Sequence, residues 1–233
     1  MPNLIGEIFG WFGASLAIIF YFAPIFQFKE LIKGQIDYKK IPFLLLLMSL
    51  LTIIFWLIYG FLLNRYQLII TNVIGGIATA IFIVIYLIYF TKKEITKSLI
   101  LIFSFIIINI FLIVIVANFI KVEIIGNLAM IFNILMFASP CFKIVQVCQT
   151  KDYKFLPINS SIAGCASSSC WAIYGIGSKD FNLIVPNGLG LCFSITQVIV
   201  FIIYFKKAKI LNKIVDENLI ENTDNSYDSL GKI

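Results

Sequence analysis

The chain has 233 residues, of which 61% are hydrophobic and 13% are charged, whereas an average soluble domain is about 45–50% apolar and about 25% charged. A single soluble domain of this length needs more polar surface than this composition supplies, which excludes an ordinary cytosolic enzyme, a disordered chain and a nucleic-acid-binding protein. Lys and Arg exceed Asp and Glu by 18 to 12, and in so apolar a chain this surplus indicates membrane topology before it indicates an anionic partner.

Seven apolar stretches are long enough to cross a bilayer, which takes about 20 helical residues. The predicted spans cover residues 8–28, 41–63, 67–90, 98–120, 124–142, 155–178 and 181–205. The third and fourth contain neither a charge nor a proline. The sixth is diluted by serines and by Asn159, so we expect it to line a cavity or to pack on small residues rather than to face lipid on all sides.

The predicted loops alternate in charge. Those after the first, third, fifth and seventh spans are rich in lysine, whereas the others hold one cation each, namely Arg65, Lys121 and Lys179. By the positive-inside rule the N-terminus is predicted to lie outside and the C-terminus in the cytoplasm. The polar, acidic tail over residues 207–233 is predicted to be disordered.

The two halves of the sequence match at an offset of 115 residues. The matching pairs are Asp37-Tyr38-Lys39 with Asp152-Tyr153-Lys154, Pro42 with Pro157, Trp56-x-x-Tyr59-Gly60 with Trp171-x-x-Tyr174-Gly175, Asn72-x-x-Gly75 with Asn187-x-x-Gly190 and, after a slip of one residue, Pro24 with Pro140. Each copy has three spans, and charge places both Asp-Tyr-Lys sets on the cytoplasmic side. The copies must therefore be parallel, which requires the extra span between them.

These patterns predict an all-α membrane protein of seven transmembrane helices, in which two parallel three-helix repeats are joined by a linker helix (3+1+3). The repeats are predicted over residues 7–90 and 124–206, with the linker over residues 91–123. No Asp, Glu, Arg or His lies at the centre of any predicted span, although ion-coupled transporters commonly carry such a group there. We therefore expect a neutral cargo, transport without ion coupling, and no catalytic residue, metal or cofactor.

Asn72 and Asn187 are candidate ligands, since each lies about a turn and a half into the third span of its repeat. A buried amide is costly unless it finds a partner. The two amides could bind a neutral polyol across a central cavity, or they could hydrogen-bond neighbouring helices with no solute involved. Asn109, Asn127 and Asn133 have no matching residue in the other repeat, and for them helix–helix hydrogen bonding is the preferred interpretation.

Trp56 and Trp171 lie towards the outer ends of their spans. They could belong to an interfacial aromatic belt, or they could form flat apolar walls for the CH face of a sugar ring. Thr52 and Ser167 lie four residues before the two tryptophans and hence on the same helix faces.

The four repeated prolines have two interpretations. Pro24 and Pro140 lie within apolar runs and should kink their helices. Pro42 and Pro157 open the second span of each repeat, as prolines commonly do at a helix start. The four together would also supply hinges for alternating access.

Taken together, the motifs resemble the SWEET (MtN3/saliva) family of sugar transporters over residues 8–206. The resemblance rests on the repeated pairs above and on Ala138-Ser139-Pro140, Thr150-Lys151, Pro186-Asn187 and Gln197. It implies bidirectional facilitated diffusion of mono- or disaccharides. It also implies roles for individual residues: sugar binding by Asn72, Asn187, Trp56 and Trp171, selectivity at Thr52 and Ser167, hinges at Pro24, Pro42, Pro140 and Pro157, and an outer gate of Tyr59, Tyr174 and Asp180.

The predicted function is therefore a sugar uniporter of the plasma membrane. Its expected partners are a small neutral sugar of the glucose or sucrose class and the lipid bilayer, with no nucleic acid and with homo-oligomerisation left open. The alternatives are a PQ-loop-type carrier of another small neutral solute and a seven-span receptor or scaffold that transports nothing. A receptor has no need of a tandem repeat, which counts against the last alternative.

Overall fold

The protein is represented by a computed structural model that describes the backbone of residues 3–118, 121–136, 138–156 and 158–230. Within these ranges the side chains of residues 91–95, 97–99, 101–102, 105–118, 138–140 and 212–230 are not described. This part of the chain is helical and contains no β-strand. Its α-helices are α1 (Leu4–Phe22), α2 (Ile25–Ile32), α3 (Phe43–Leu62), α4 (Tyr66–Asn118), α5 (Val122–Met136), α6 (Ala138–Thr150), α7 (Ile158–Ser178) and α8 (Phe181–Leu230).

Five helical stretches of the described chain are long and apolar enough to cross a bilayer: Leu4–Ile32, Phe43–Leu62, Tyr66–Phe90, Val122–Thr150 and Phe181–Leu211. They coincide with the first, second, third, fifth and seventh predicted spans. Helix α7 coincides with the sixth and has 21 residues, but its serines lower its hydropathy. The predicted all-α membrane fold is thus confirmed, and the helix order is compatible with a 3+1+3 arrangement.

The predicted loop between the third and fourth spans is wrong, because α4 runs as a single helix of 53 residues through Lys92, Lys93 and Lys97. The segment 91–97 is polar but contains neither Gly nor Pro, so nothing in it ends a helix. Most side chains of the fourth predicted span, 98–120, lie outside the described residues.

Helix α8 likewise continues to Leu230, over most of the tail for which composition predicts disorder. Residues 192–230 contain neither Gly nor Pro, so the sequence offers no stop signal before residue 231. The tail is therefore helical as far as its backbone is described, and its behaviour in solution stays a prediction.

The Asp-Tyr-Lys motif of the first repeat caps and anchors the chain before α3. The Asp37 carboxylate accepts a hydrogen bond from the Lys39 backbone N–H at 2.9 Å, which starts a single turn of 3-10 helix. Tyr38 is buried and packs on two rings of α4, with centroid distances of 6.0 Å to Tyr86 and 5.4 Å to Phe90. The motif thus ties the start of α3 to α4.

The second copy of the motif repeats this structure. The Asp152 carboxylate accepts from the Lys154 N–H at 3.0 Å, and the Tyr153 ring lies 5.3 Å from Phe201 and 5.2 Å from Phe205 of α8. Both phenylalanines are 115 residues beyond their counterparts on α4. The motif is therefore a local folding device, a role that its sequence alone does not reveal.

The repeated prolines occupy different positions in the helices. Pro24 separates α1, which ends at Phe22, from α2, which begins at Ile25, so the helix is interrupted there within one apolar stretch. Pro42 directly precedes α3, as expected for a proline at a helix start. Pro140 lies in the first turn of α6, and Pro157 lies outside the described residues.

Two compact units make up the chain, one formed by Met1–Ala138 with Ala163–Leu191 and the other by Ser139–Ile162 with Cys192–Ile233. In the first unit, α3 packs on α4 and α5, and α1 packs on α4. Its central core contains both tryptophans of the repeated motif, Trp56 and Trp171, which are 6% and 8% exposed. In the second unit, the buried Ser161 hydroxyl donates to Gln197 Oε1 at 2.8 Å.

Candidate functional site

A cavity of about 170 Å³ lies within the first unit, next to its tryptophan-centred core. Its described lining comes from six helices and comprises Ala17, Tyr21, Ser49, Thr52, Trp56, Leu68, Thr71, Asn72, Asn133, Met136, Trp171, Leu183 and Asn187. Five of the six residues predicted to bind substrate are in this set. The sixth, Ser167, is half-buried on α7 and is not among the lining residues that the structure describes.

The lining follows the internal repeat. Trp56 pairs with Trp171, Leu68 with Leu183 and Asn72 with Asn187, each at an offset of 115 residues. Ala17 and Asn133 are offset by 116 residues, like Pro24 and Pro140. Equivalent positions of both repeats thus line one cavity, which explains why the same residue types occur in both.

A face of small residues on α1 makes room for the aromatic side chains of α7. A Cβ atom placed on Gly13 would lie 3.2 Å from the Trp171 indole, and one on Gly10 would lie 2.6 Å from the Tyr174 ring. Both glycines are buried. The position of Trp171 at the cavity therefore depends on the absence of side chains on α1.

The paired asparagines are oriented by their own helices. Asn72 Nδ2 donates to the Leu68 carbonyl and Asn187 Nδ2 donates to the Leu183 carbonyl, both at 2.8 Å. The Asn72 amide oxygen also accepts a bond from the Tyr21 hydroxyl at 3.5 Å. Since an amide offers two donors and an acceptor oxygen, both side chains keep hydrogen-bonding capacity at the cavity after these bonds are made.

Tyr21 lines the cavity although it belongs to none of the repeated motifs. Its ring lies against the backbone of Gly75, where a Cβ atom would be 2.4 Å from Tyr21 Cε2. The repeated Asn-x-x-Gly motif therefore has a packing function on α4: the glycine admits the ring whose hydroxyl reaches Asn72, one turn earlier.

Asn133 is the other contributor that sequence reasoning missed. It is assigned above to helix–helix hydrogen bonding because its counterpart in the first repeat is not an asparagine. The offset of 116 residues, which the Pro24–Pro140 pair already shows, places it opposite Ala17, and both line the cavity. Comparing equivalent positions, rather than identical residues, would have found it.

Tyr59 and Asp180, two of the residues predicted to form an outer gate, are in direct hydrogen-bond contact in the structure. The Tyr59 hydroxyl lies 2.9 and 3.0 Å from the two carboxylate oxygens of Asp180, to which it donates. Asn182 Nδ2 donates to the Tyr59 hydroxyl oxygen at 3.3 Å. Tyr59 and Asp180 are 4% and 8% exposed, so this contact is closed to solvent.

Tyr174, the third residue of the predicted gate, makes the corresponding contacts with residues of the first repeat. The Tyr174 hydroxyl donates to Gln67 Oε1 at 3.2 Å, the Gln67 amide donates to the Glu7 carboxylate, and the Arg65 guanidinium lies 5.9 Å from the Tyr174 ring centroid. Arg65 and Gln67 are the counterparts of Asp180 and Asn182. Each tyrosine therefore contacts the two polar residues that belong to the other repeat.

The turns that carry these polar residues have the same conformation. In each repeat the glycine after the gate tyrosine accepts the backbone N–H five residues later, at 2.8 Å from Arg65 and 2.9 Å from Asp180. The preceding residues, Asn64 and Lys179, adopt φ angles of 52° and 54°. The repeated Tyr-Gly pair thus sets the turn that delivers each gate residue.

Burial raises the pKa of the Asp180 carboxyl above its ordinary value. Hydrogen bonds donated by the Tyr59 hydroxyl and the Asn182 backbone N–H, together with the charge of Arg65, offset part of this rise. Donors from the protein itself therefore hold the carboxylate in its buried position.

The tyrosines connect the gate to the cavity. The Trp56 and Tyr59 rings pack edge to face with centroids 5.7 Å apart, and Trp171 and Tyr174 do so at the same distance. Because the tryptophans line the cavity, each of the two tyrosines is in direct contact with a residue of the cavity wall.

Comparison with known proteins agrees with this architecture. The sequence profile described as "Sugar efflux transporter for intercellular exchange" matches residues 7–94 and 123–209, close to the two predicted repeats. A rice (Oryza sativa subsp. japonica) protein named "Bidirectional sugar transporter SWEET7b" is 26% identical over 228 residues, covering 94% of this chain and 84% of its own. "Sugar transporter SWEET1" of Caenorhabditis elegans is 34% identical over 192 residues, covering 81% of this chain and 62% of its own.

The fold is also that of a solved structure, a eukaryotic SWEET transporter at 3.7 Å resolution. It superposes with a TM-score of 0.72 at 25% identity, covering 86% of this chain and 99% of the other. The repeated motifs, the helical membrane fold and the profile match over most of the sequence lead to one conclusion. This chain belongs to the SWEET (MtN3/saliva) family of sugar transporters.

Proposed function

We propose that this protein is a bidirectional uniporter, which moves small neutral sugars down their gradient by alternating access. The observation that carries the proposal is the cavity in which two tryptophans and two asparagines, related by the repeat, lie directly beneath a closed layer of tyrosine hydrogen bonds. Aromatic faces suit the CH face of a sugar ring and amides suit its hydroxyls. Family membership favours this function over the PQ-loop carrier and the receptor.

The proposed cargo is a mono- or disaccharide of the glucose or sucrose class. The cavity of about 170 Å³ opens to its surroundings, so its volume alone does not choose between the two sizes of sugar.

Asn72, Asn187, Trp56 and Trp171 are proposed to hold the sugar, with selectivity set in part by Thr52. The Thr52 hydroxyl donates to the Met48 carbonyl at 2.9 Å, so it remains available to the sugar as an acceptor. Ser167 is retained in the proposal as a residue that reaches the sugar only when α7 moves.

The repeated prolines are proposed as hinges for the change between outward-facing and inward-facing states. Pro24 has the strongest support, because α1 and α2 already meet there without a continuous helix. For Pro42, Pro140 and Pro157 the proposal rests on the repeat and on the family.

The first prediction is that transport is uncoupled. Purified protein in liposomes should equilibrate labelled glucose at a rate that does not change when a proton or a sodium gradient is imposed, because no predicted span has an ionisable group at its centre. Uptake of sucrose in the same vesicles measures the size preference. Accumulation of glucose above its external concentration, driven by either gradient, would contradict the proposal.

The second prediction concerns orientation, for which we propose an outside N-terminus and a cytoplasmic C-terminus in the plasma membrane. Lys33 and Lys179 are exposed and lie in loops of opposite predicted sides. In a variant without its five free cysteines, Lys179→Cys should react with an impermeant thiol reagent on intact cells, and Lys33→Cys should react only after lysis. The reverse pattern would show the opposite orientation.

The third prediction separates sugar binding from packing at Asn187. Its amide donates within its own helix, so Asn187→Ala should melt near the wild-type temperature while it loses the sugar-induced rise in melting temperature. Removing one hydrogen bond costs about 0.5–1.5 kcal/mol, and more if a partner is left unpaired, and about 1.4 kcal/mol is a tenfold loss of affinity.

A matched control for this test is Asn127→Ala, which removes an exposed asparagine of α5 outside the cavity lining. It should keep the full sugar-induced shift. An Asn187→Ala protein that is destabilised and yet shows the full shift would reject Asn187 as a ligand.

The fourth prediction concerns the outer gate. Tyr59→Phe removes the hydroxyl that donates to Asp180 but keeps the ring that packs on Trp56. Because a hydrogen bond to a charged group contributes about 1.5–3 kcal/mol, the closed state should lose at least about tenfold in population relative to the open state.

Labelling from outside measures this change. A cysteine at the cavity position Ser49, in the cysteine-free background, should react faster with an impermeant reagent when Tyr59→Phe is added. Tyr66→Phe, which changes an exposed tyrosine, should have no effect. Equal labelling with and without Tyr59→Phe would exclude the Tyr59–Asp180 bond as a gate.

A further inference from the structure

Thr71 is a polar cavity residue for which neither the repeated motifs nor the family resemblance predicts a role. It lines the cavity next to Asn72, it is 2% exposed, and its hydroxyl oxygen is buried without a hydrogen-bond partner. A buried hydroxyl that makes no hydrogen bond is unfavourable. The structure therefore contains an unmet hydrogen-bonding group in the wall of the proposed sugar site.

Five other hydroxyl side chains on the described helices make the same hydrogen bond within their own helix. Each donates to the backbone carbonyl four residues earlier, at 2.8 to 3.0 Å: Ser15, Thr52, Thr150, Ser178 and Thr196. The equivalent acceptor for Thr71 is the carbonyl of Gln67, and the hydroxyl makes no bond to it. The hydroxyl of Thr71 is thus left available at a position where the helix backbone could have satisfied it.

The two repeats also differ at this position. The counterpart of Thr71 is Pro186, which is buried within α8 and has no hydroxyl. More generally, every hydroxyl in the described lining comes from the first repeat, from Tyr21, Ser49, Thr52 and Thr71. The described lining from the second repeat consists of amide, indole, thioether and aliphatic side chains. The cavity lining is therefore polarised, because its described hydroxyl groups all come from one of the two repeats.

We propose that Thr71 is a specificity-determining residue, whose hydroxyl forms a hydrogen bond with one ring hydroxyl of the transported sugar. The inference rests on the proposed sugar uniport and assigns one contact within it. A threonine in a helix uses two χ1 rotamers, and rotation between them moves the hydroxyl group to a different position around the Cα–Cβ bond. The hydroxyl can therefore turn to a sugar that occupies the cavity, and the polarised lining then fixes which edge of the ring faces the first repeat.

The test compares glucose with its series of monodeoxy derivatives, as substrates of the full chain in liposomes. Thr71→Val keeps the shape of the side chain and removes the hydroxyl. It should raise the KM for glucose by about two- to tenfold, the equivalent of one hydrogen bond. It should leave unchanged the KM for the single deoxy sugar that lacks the partner hydroxyl. Thr71→Ser, which keeps the hydroxyl, should retain the wild-type ranking of the series.

Thr79→Val is the matched control, because Thr79 is a buried threonine of the same helix at 3% exposure and does not line the cavity. It should leave every KM in the series unchanged. A Thr71→Val protein with unchanged KM for glucose, or with the same loss for every deoxy sugar, would overturn the inference while the uniporter stands. If Thr71→Val does not fold, Thr71→Ser decides the question, because a changed ranking of the deoxy sugars in that variant would overturn the inference. If the wild-type protein transports no sugar of the series, the proposed function fails, and this inference fails with it.

Discussion

A polar group buried in hydrocarbon finds no water, so a membrane protein must supply its hydrogen-bond partners from within. Most of the buried polar side chains described in the first unit lie in two neighbouring groups. One is the proposed gate, where hydroxyl, carboxylate and amide groups hydrogen-bond to one another around Tyr59 and Tyr174. The other is the cavity, where Asn72 and Asn187 are held by their own helices. Each group contains one buried atom without a hydrogen-bond partner, Arg65 Nε beside Tyr174 and the Thr71 hydroxyl oxygen at the cavity.

The repeat determines how these groups are built. At the cavity, equivalent positions of the two repeats lie side by side in the same lining. At the proposed gate, the tyrosine of each repeat contacts polar residues of the other repeat. These polar residues include opposite charges at equivalent positions, because Arg65 in the first repeat corresponds to Asp180 in the second. An internally repeated sequence has thus kept its geometry while its chemistry diverged, through a cation and an anion at the gate and through hydroxyls concentrated on one side of the cavity.

Much of the site could be predicted because identical rare residues recur at one offset. Trp56, Trp171, Asn72 and Asn187 all line the cavity. Residues that differ between the repeats gave no such signal, which is why Asn133, Tyr21 and Thr71 became visible only in the structure. Thr52 and Ser167 show that equivalent sequence positions do not guarantee equal access to the cavity, because Thr52 lines it and Ser167 is absent from the described lining.

The fold was predictable to the extent that hydropathy determines it. Hydropathy locates the apolar stretches but cannot distinguish a polar loop from a polar stretch of helix, so the lysines of residues 91–97 suggested a loop where α4 is continuous. The Asp-Tyr-Lys motif was recognised as a repeat, but its function was not. A capping carboxylate is suggested by local sequence, whereas the ring contacts of Tyr38 and Tyr153 join segments nearly 50 residues apart.

The exchanged contacts of the gate have a mechanical consequence. Because Tyr59 reaches residues of the second repeat and Tyr174 reaches residues of the first, neither repeat can swing away while it keeps its own set of bonds. Moving one repeat away from the other would break both the Tyr59–Asp180 bond and the Tyr174–Gln67 bond. Under the proposed alternating access, the contacts of Tyr59 and Tyr174 would therefore have to break together, which would disfavour a half-open state through which solute or ions could leak.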